Sequence, residues 1–183
     1  MRRLTCLAVL AALAGCDRPP EPASAPKTEA AAPAFSHALS VDASGYYMPI
    51  EAPGFGKWVL RDIAVGQARD FAAWEQGNRS STYAPIMIEF EDATSPMAQT
   101  ELGEARERQA RVLPTSYEVT DRAVRFTGVS PELGPVSFEG RLDADALATA
   151  RRNLGDEGAV LTGSMTAGGV TIGSISLRWW MGD

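Results

Sequence analysis

The chain is nearly without the side chains that most enzyme chemistry needs. Its 183 residues include one His, His37, and two Cys, Cys6 and Cys16. A serine triad requires an imidazole to take the hydroxyl proton, and His37 stands at the margin of a proline-rich segment. Gly128-Val129-Ser130-Pro131-Glu132 opens like a nucleophile elbow, but Glu132 occupies the place of the closing glycine. A Ser–Lys dyad would fall to Lys57, and nothing around it marks an activated amine. So little His and Cys also argues against transition-metal sites and thiolate catalysis, and no cofactor motif is complete. Basic residues are outnumbered, 17 against 23 acidic, for a formal charge of −6, which argues against a nucleic-acid-binding surface. Hydrophobic residues at 45% and charged residues at 22% exclude wholesale disorder and suit one globular domain with a tail.

A membrane-spanning run is missing too. The most apolar stretch, Leu4 to Gly15, has 12 residues, or roughly 18 Å as a helix against roughly 30 Å of bilayer hydrocarbon. Arg2 and Arg3 precede it and small residues close it, the layout of an export signal. Leu13-Ala14-Gly15-Cys16 resembles the lipobox of bacterial lipoproteins. That resemblance covers residues 1–16 and implies cleavage before Cys16 and its acylation, for instance with palmitate. It places the protein in the bacterial cell envelope, held to a membrane by its lipid and facing the periplasm, with inner or outer membrane left open. The alternative is an ordinary secretory signal cut nearby. Cleavage removes Cys6 and lipidation consumes Cys16, so the expected domain has no disulfide and depends on its core.

Residues 16–34 read as the lipidated Cys followed by a disordered tether. Asp17 to Ala34 holds five Pro and six Ala, with no Val, Ile, Leu, Met or aromatic residue, too little apolar surface to offset ordering entropy. The globular domain is accordingly 35–183.

Within it, alternation with period two dominates, which predicts a mainly β domain: an antiparallel sandwich or calycin-like barrel with two or three short helices, the calycin likeness being one of architecture alone. Strands are predicted over Trp58 to Val65, within Tyr83 to Glu91 (half-buried), at Ser116 to Thr120 and Ala123 to Val129 around a turn at Asp121-Arg122, and over Val136 to Leu142. Asp143 is a good N-cap for a helix over Ala144 to Leu154. Ser95-Pro96 predicts a second helix running to about Val112, supported by Glu104–Arg108 and Glu107–Arg111 pairs. Ala68 to Glu75 fits a short helix or a strand. The last two strands flank Gly168-Gly169. A three-residue loop there would pair Leu161 with Ile175 and set Gly163 opposite Gly173, leaving a gap where a ligand could approach the backbone.

Few candidate sites emerge. Gly163 to Gly168 has the glycine spacing of a P-loop without its Lys. Asp143-Ala144-Asp145 starts like a calcium loop, but Leu147 stands at the third ligand position, so no metal site is expected. Glu89 and Glu91 share a strand face at roughly 6.8 Å, near the separation of glycosidase carboxylates, though a solvated strand face is the favoured account of them. Tyr46, Tyr47, Trp58, Trp74 and Trp180 are candidate ligand or partner contacts, each with core packing as the alternative. Trp179 and its neighbour Trp180 must point to opposite faces of a strand, with Trp179 on the apolar side. The expectation is a lipid-anchored envelope protein whose non-catalytic β domain binds a partner protein or small ligand. An envelope glycan hydrolase using Glu89 and Glu91, and a structural scaffold subunit, are the alternatives.

Overall fold

The computed structural model describes residues 34–100 and 103–182. The lipobox, Cys16 and nearly all of the expected tether lie outside the described residues. The strands are β1 (Phe35–Ala38), β2 (Gly45–Pro49), β3 (Gly54–Phe55), β4 (Trp58–Val65), β5 (Ile86–Asp92), β6 (Met97–Thr100), β7 (Gly103–Arg106), β8 (Gln109–Val112), β9 (Pro114–Thr120), β10 (Val124–Ser130), β11 (Gly134–Leu142), β12 (Leu161–Ala167) and β13 (Val170–Trp180). Helix α1 is Ala68–Glu75 and α2 is Ala144–Arg152. Ten strands form one sheet in the order β1-β9-β10-β11-β12-β13-β2-β4-β5-β8, β3 joins at β4, and β6 and β7 form a separate hairpin. The domain is mainly β with minor α, and its large sheet curls into a half-barrel. Pairing is antiparallel except for β1, which runs parallel to β9.

Alternation sorts the side chains. Leu60, Ile63, Ile88, Phe90, Phe126, Phe138, Leu161 and Leu177 line one continuous core on the inner face. Helix α1 adds Phe71 and Trp74, and α2 adds Leu147 and Ala150. The α2 start is local: the Asp143 carboxylate accepts from the Asp145 and Ala146 backbone N–H groups, satisfying two of the four donors a helix start leaves open. Asp143 therefore serves as a cap. The helix ends at Arg152 with Asn153 as its C-cap, short of the predicted Leu154.

Segment 95–112 is no helix. Ser95 is buried in a turn, its hydroxyl donating to the Asp92 carbonyl and accepting from the Arg108 N–H, and the chain then forms β6, β7 and β8. Gly103, at φ +109°, belongs to a hairpin. Ala110 and Val112 face the core with period two, which outweighs two weak charge pairs. Strand β5 is buried on both faces, where a half-buried strand was expected.

The C-terminal hairpin also departs from the expected register. Its loop is the two residues Gly168 and Gly169, both at positive φ, so Ala167 pairs with Val170. This is the tight two-residue hairpin that such glycines favour. The faces stay matched because a bulge between Gly163 and Met165 inserts one residue into β13, so that Leu161 pairs with Leu177 and Gly163 with Ile175. On its other side Gly163 meets Gly140. A Cβ at Gly140 would lie 2.5 Å from the Phe138 ring, and one at Gly163 2.4 Å from the Glu139 carbonyl. The expected gap is thus filled on the inner face by Phe138.

Candidate functional site

The outer face of the sheet has two chemically different halves. Over β9 to β13 it is hydroxyl-rich: Ser116, Thr127, Ser137, Thr166 and Thr171 form one cross-strand row. Beside it Arg125 pairs with both Glu118 and Glu139. A broad open groove of about 1120 Å³ lies over this half, between Arg141, Asp143 and Ser174. Over β13, β2, β4 and β5 the outer face carries one apolar row instead, beside the charged Asp62 and Glu89. The register aligns Trp180, Tyr46, Ala64 and Met87 in one row.

A cleft of about 430 Å³ opens on that row. Ala64, Val65, Ala84 and Met87 supply its apolar surface, and Tyr46, Tyr83 and Met181 stand around it. Tyr46 is 40% exposed and Tyr83 45%. The Tyr83 ring faces Asp70, and burial, followed by that carboxylate, raises the phenol above its ordinary range. Asp70 in turn accepts from the Gln67 N–H at 2.9 Å, where α1 begins. On the opposite side, Arg151 from the last turn of α2 donates to the Asp42 carboxylate at 2.7 Å and to the Asp42 and Ser44 carbonyls at 3.0 and 3.3 Å. The Ser44 hydroxyl, then its backbone N–H and the Arg151 guanidinium, hold the Asp42 carboxyl below its usual range against a modest burial cost. Arg151 also lies 5.1 Å over the Trp179 ring, whose Nε1 donates to the Ser44 carbonyl at 3.0 Å.

The aromatic candidates divide by burial. Trp180 is 40% exposed and packs against Tyr46 at 5.7 Å between ring centroids, just beyond the cleft. Tyr47, Trp58 and Trp74 are buried in the core, a correction to their candidacy as contacts. The Tyr47 hydroxyl donates to the Ala43 carbonyl, and burial raises its pKa. Trp74 packs with Phe35 and Arg79 where α1 meets β1. Tyr46 and Trp180 are the members of the set that solvent reaches. Tyr83 escaped notice because a lone aromatic before Ala84-Pro85 has no pattern around it. The Asp42–Arg151 pair spans 109 residues and leaves no local signal.

Glu89 and Glu91 share the outer face, but Glu89 is buried between guanidiniums. It accepts from Arg111 Nε at 2.6 Å and from Arg61 at 3.2 Å. Glu91 is half-buried. The register slips by one residue between Leu60 and Asp62, with Arg61 as the extra residue. That slip brings Asp62, 4% exposed, opposite Glu89. Burial, with the Glu89 charge second, pushes the Asp62 carboxyl up to about 6, and its Oδ1 has no hydrogen-bond partner. His37, the one imidazole, pairs with Glu75 at 2.9 Å, and Glu75 also accepts from the Tyr117 hydroxyl. This trio ties β1 and β9 to α1. Among the described residues, no three His, Cys, Asp or Glu side chains gather to hold a metal ion. No family model, curated protein or solved structure matches the chain.

Proposed function

We propose that this is a lipid-anchored protein of the bacterial cell envelope, facing the periplasm, whose β domain binds a ligand in the cleft between Tyr46 and Tyr83. The observation that carries the binding role is the pairing of two exposed tyrosines with an apolar floor in a cleft of about 430 Å³, inside the range of small-ligand sites. Trp180 extends the same apolar row beyond the cleft, and exposed aromatic surface of this kind marks binding surfaces. Glu89 already serves two guanidiniums, which favours binding over carboxylate catalysis. The anchor rests on Leu13-Ala14-Gly15-Cys16.

Metabolic labelling with a fatty-acid probe tests the anchor: the wild type takes up label and Cys16→Ser does not, and label retained in Cys16→Ser removes it. Saturation-transfer NMR with a mixed set of sugars, capped dipeptides and aromatic acids tests the cleft. At least one compound should bind the wild type and be lost in both Tyr46→Ala and Tyr83→Ala. Compounds that bind all three proteins alike, or none that binds, remove the reading.

A further inference from the structure

The charges, shape and surroundings of the Tyr46–Tyr83 cleft restrict what it can hold. Its charged side chains balance, Asp42 and Asp70 against Arg69 and Arg151. All four are engaged within the protein: Arg151 with Asp42 and two carbonyls, and Asp70 with the Gln67 N–H and, at 3.9 Å, with the Arg69 guanidinium. An ionic ligand would need one of these pairs to open, and would leave its partner uncompensated. An uncharged ligand needs no such change.

Polar and apolar groups are also segregated. Asp42, Ser44 and Arg151 stand at the β2 side, while Gln67, Asp70 and the Tyr83 hydroxyl stand beyond β4, where α1 begins. Between them run Ala64, Val65 and Met87, with the Tyr46 ring at the margin. A bound molecule must therefore present an apolar face to the floor and hydrogen-bonding groups along both edges. A pyranose has that cross-section: C–H groups on its faces and hydroxyls around its equator. The carboxylates of Asp42 and Asp70 retain acceptor capacity for hydroxyls beyond the bonds they already make. A fully apolar ligand would leave those edges desolvated and unpaired, at a cost.

The row then continues. Trp180 packs on Tyr46 at 5.7 Å and remains 40% exposed, so the apolar track extends past the cleft by one more aromatic platform. A single sugar would leave Trp180 unused, whereas a chain of two or more residues would lie over both. Aromatic rings suit this contact because they offer flat apolar area with little side-chain entropy to lose.

We infer that the cleft and its Tyr46–Trp180 rim bind a neutral oligosaccharide, one residue in the cleft and the next against Trp180. This inference rests on the binding reading above and specifies its ligand. Saturation-transfer NMR on the full-length protein in detergent tests it, with three probes at equal concentration: a β-linked N-acetylglucosamine tetramer, a capped Phe-Ala dipeptide and phenylacetate. The tetramer should receive saturation. Tyr46→Ala should weaken it at least tenfold, Tyr46→Phe should leave it within about threefold, and Trp180→Ala should weaken the tetramer more than the corresponding monosaccharide. Binding of the dipeptide or phenylacetate alone, lost in Tyr46→Ala, would overturn the sugar assignment while leaving the cleft a binding site. Tetramer binding unchanged in Tyr46→Ala would overturn the placement. No Tyr46-dependent binding by any probe overturns the inference and the cleft reading together.

Discussion

Gly45 and Trp179 meet where β2 crosses to β13: a Cβ at position 45 would stand 2.2 Å from the Trp179 indole nitrogen. Gly45 also holds φ +141°, a conformation that side chains rarely adopt. The close approach lets Trp179 reach the Ser44 carbonyl and places Arg151 over its ring. Gly45→Ala should therefore destabilise the domain by about 2–4 kcal/mol, combining backbone strain with overpacking. Urea unfolding reads the loss. Trp179→Phe removes the offending nitrogen, so the double variant should lose less than the sum of the two single variants, the sign of direct coupling. Strict additivity would mean that the backbone conformation and the Trp180 carbonyl, 2.9 Å from the same Cβ, carry the cost.

Trp179 and Trp180 should behave oppositely although they are adjacent. Trp179 is 5% exposed and Trp180 40%. Trp179→Ala should cost about 3–5 kcal/mol, the range for a buried aromatic, while Trp180→Ala should stay within about 1 kcal/mol. Trp58 and Trp74 are buried as well, so acrylamide should quench one population of the indole emission readily, and Trp180→Phe should remove that population. Easy quenching that persists in Trp180→Phe would place another indole at the surface.

That division was legible from neighbour alternation, even though the register around it was not. The bulge in β13 lies before Ile175, so the faces from Leu177 to Trp180 follow from parity whichever loop is chosen. The two-glycine turn is a local signal, whereas a bulge is settled by which side chains the neighbouring strands bury. Helix α2 was readable because Asp143 and the Leu147/Ala150 face lie within one short stretch. Segment 95–112 was not, because it is held by distant partners: Ser95 by Arg108, and Arg111 by Glu89. The cleft was half legible. Tyr46 and Trp180 belong to an aromatic set that can be read off the chain, but Tyr83, Asp42 and Arg151 converge only through the strand order β13-β2-β4-β5.

The Gly140–Gly163 pair should tolerate no side chain. At Gly163 a Cβ would lie 2.4 Å from the Glu139 carbonyl and 2.6 Å from the Gly140 Cα, both backbone atoms that cannot step aside. Gly163→Ala should separate β11 from β12 and lower stability by about 1–3 kcal/mol, as overpacking does. At Gly140 the nearest atom belongs to the Phe138 ring, so Gly140→Ala should be partly relieved by Phe138→Leu. Gly163→Ala should not. Denaturant midpoints of the four variants decide between a backbone and a side-chain clash.

Asp62 should give the domain an unusual pH dependence. Its carboxyl is pushed up to about 6, first by burial and then by the Glu89 charge, while Arg61 and Arg111 oppose the rise. An unfolded aspartate titrates near about 3.9. Between these values the folded state holds a proton that the unfolded state has released, so stability is fullest below about pH 4 and falls as pH rises through about 6. A difference of that size corresponds to about 3 kcal/mol by linkage. Asp42, Asp92 and Asp121, whose carboxyls are lowered, act in the opposite sense, but their contribution is essentially complete by about pH 5, so the decline above it belongs to Asp62. Asp62→Asn cannot ionise and keeps a hydrogen-bonding group beside Glu89. Unfolding free energies from pH 4 to 7 should decline in the wild type and stay flatter in Asp62→Asn, so that the variant gains on the wild type as pH increases. Parallel curves would show that water reaches Oδ1 and that Asp62 ionises as an ordinary surface carboxylate.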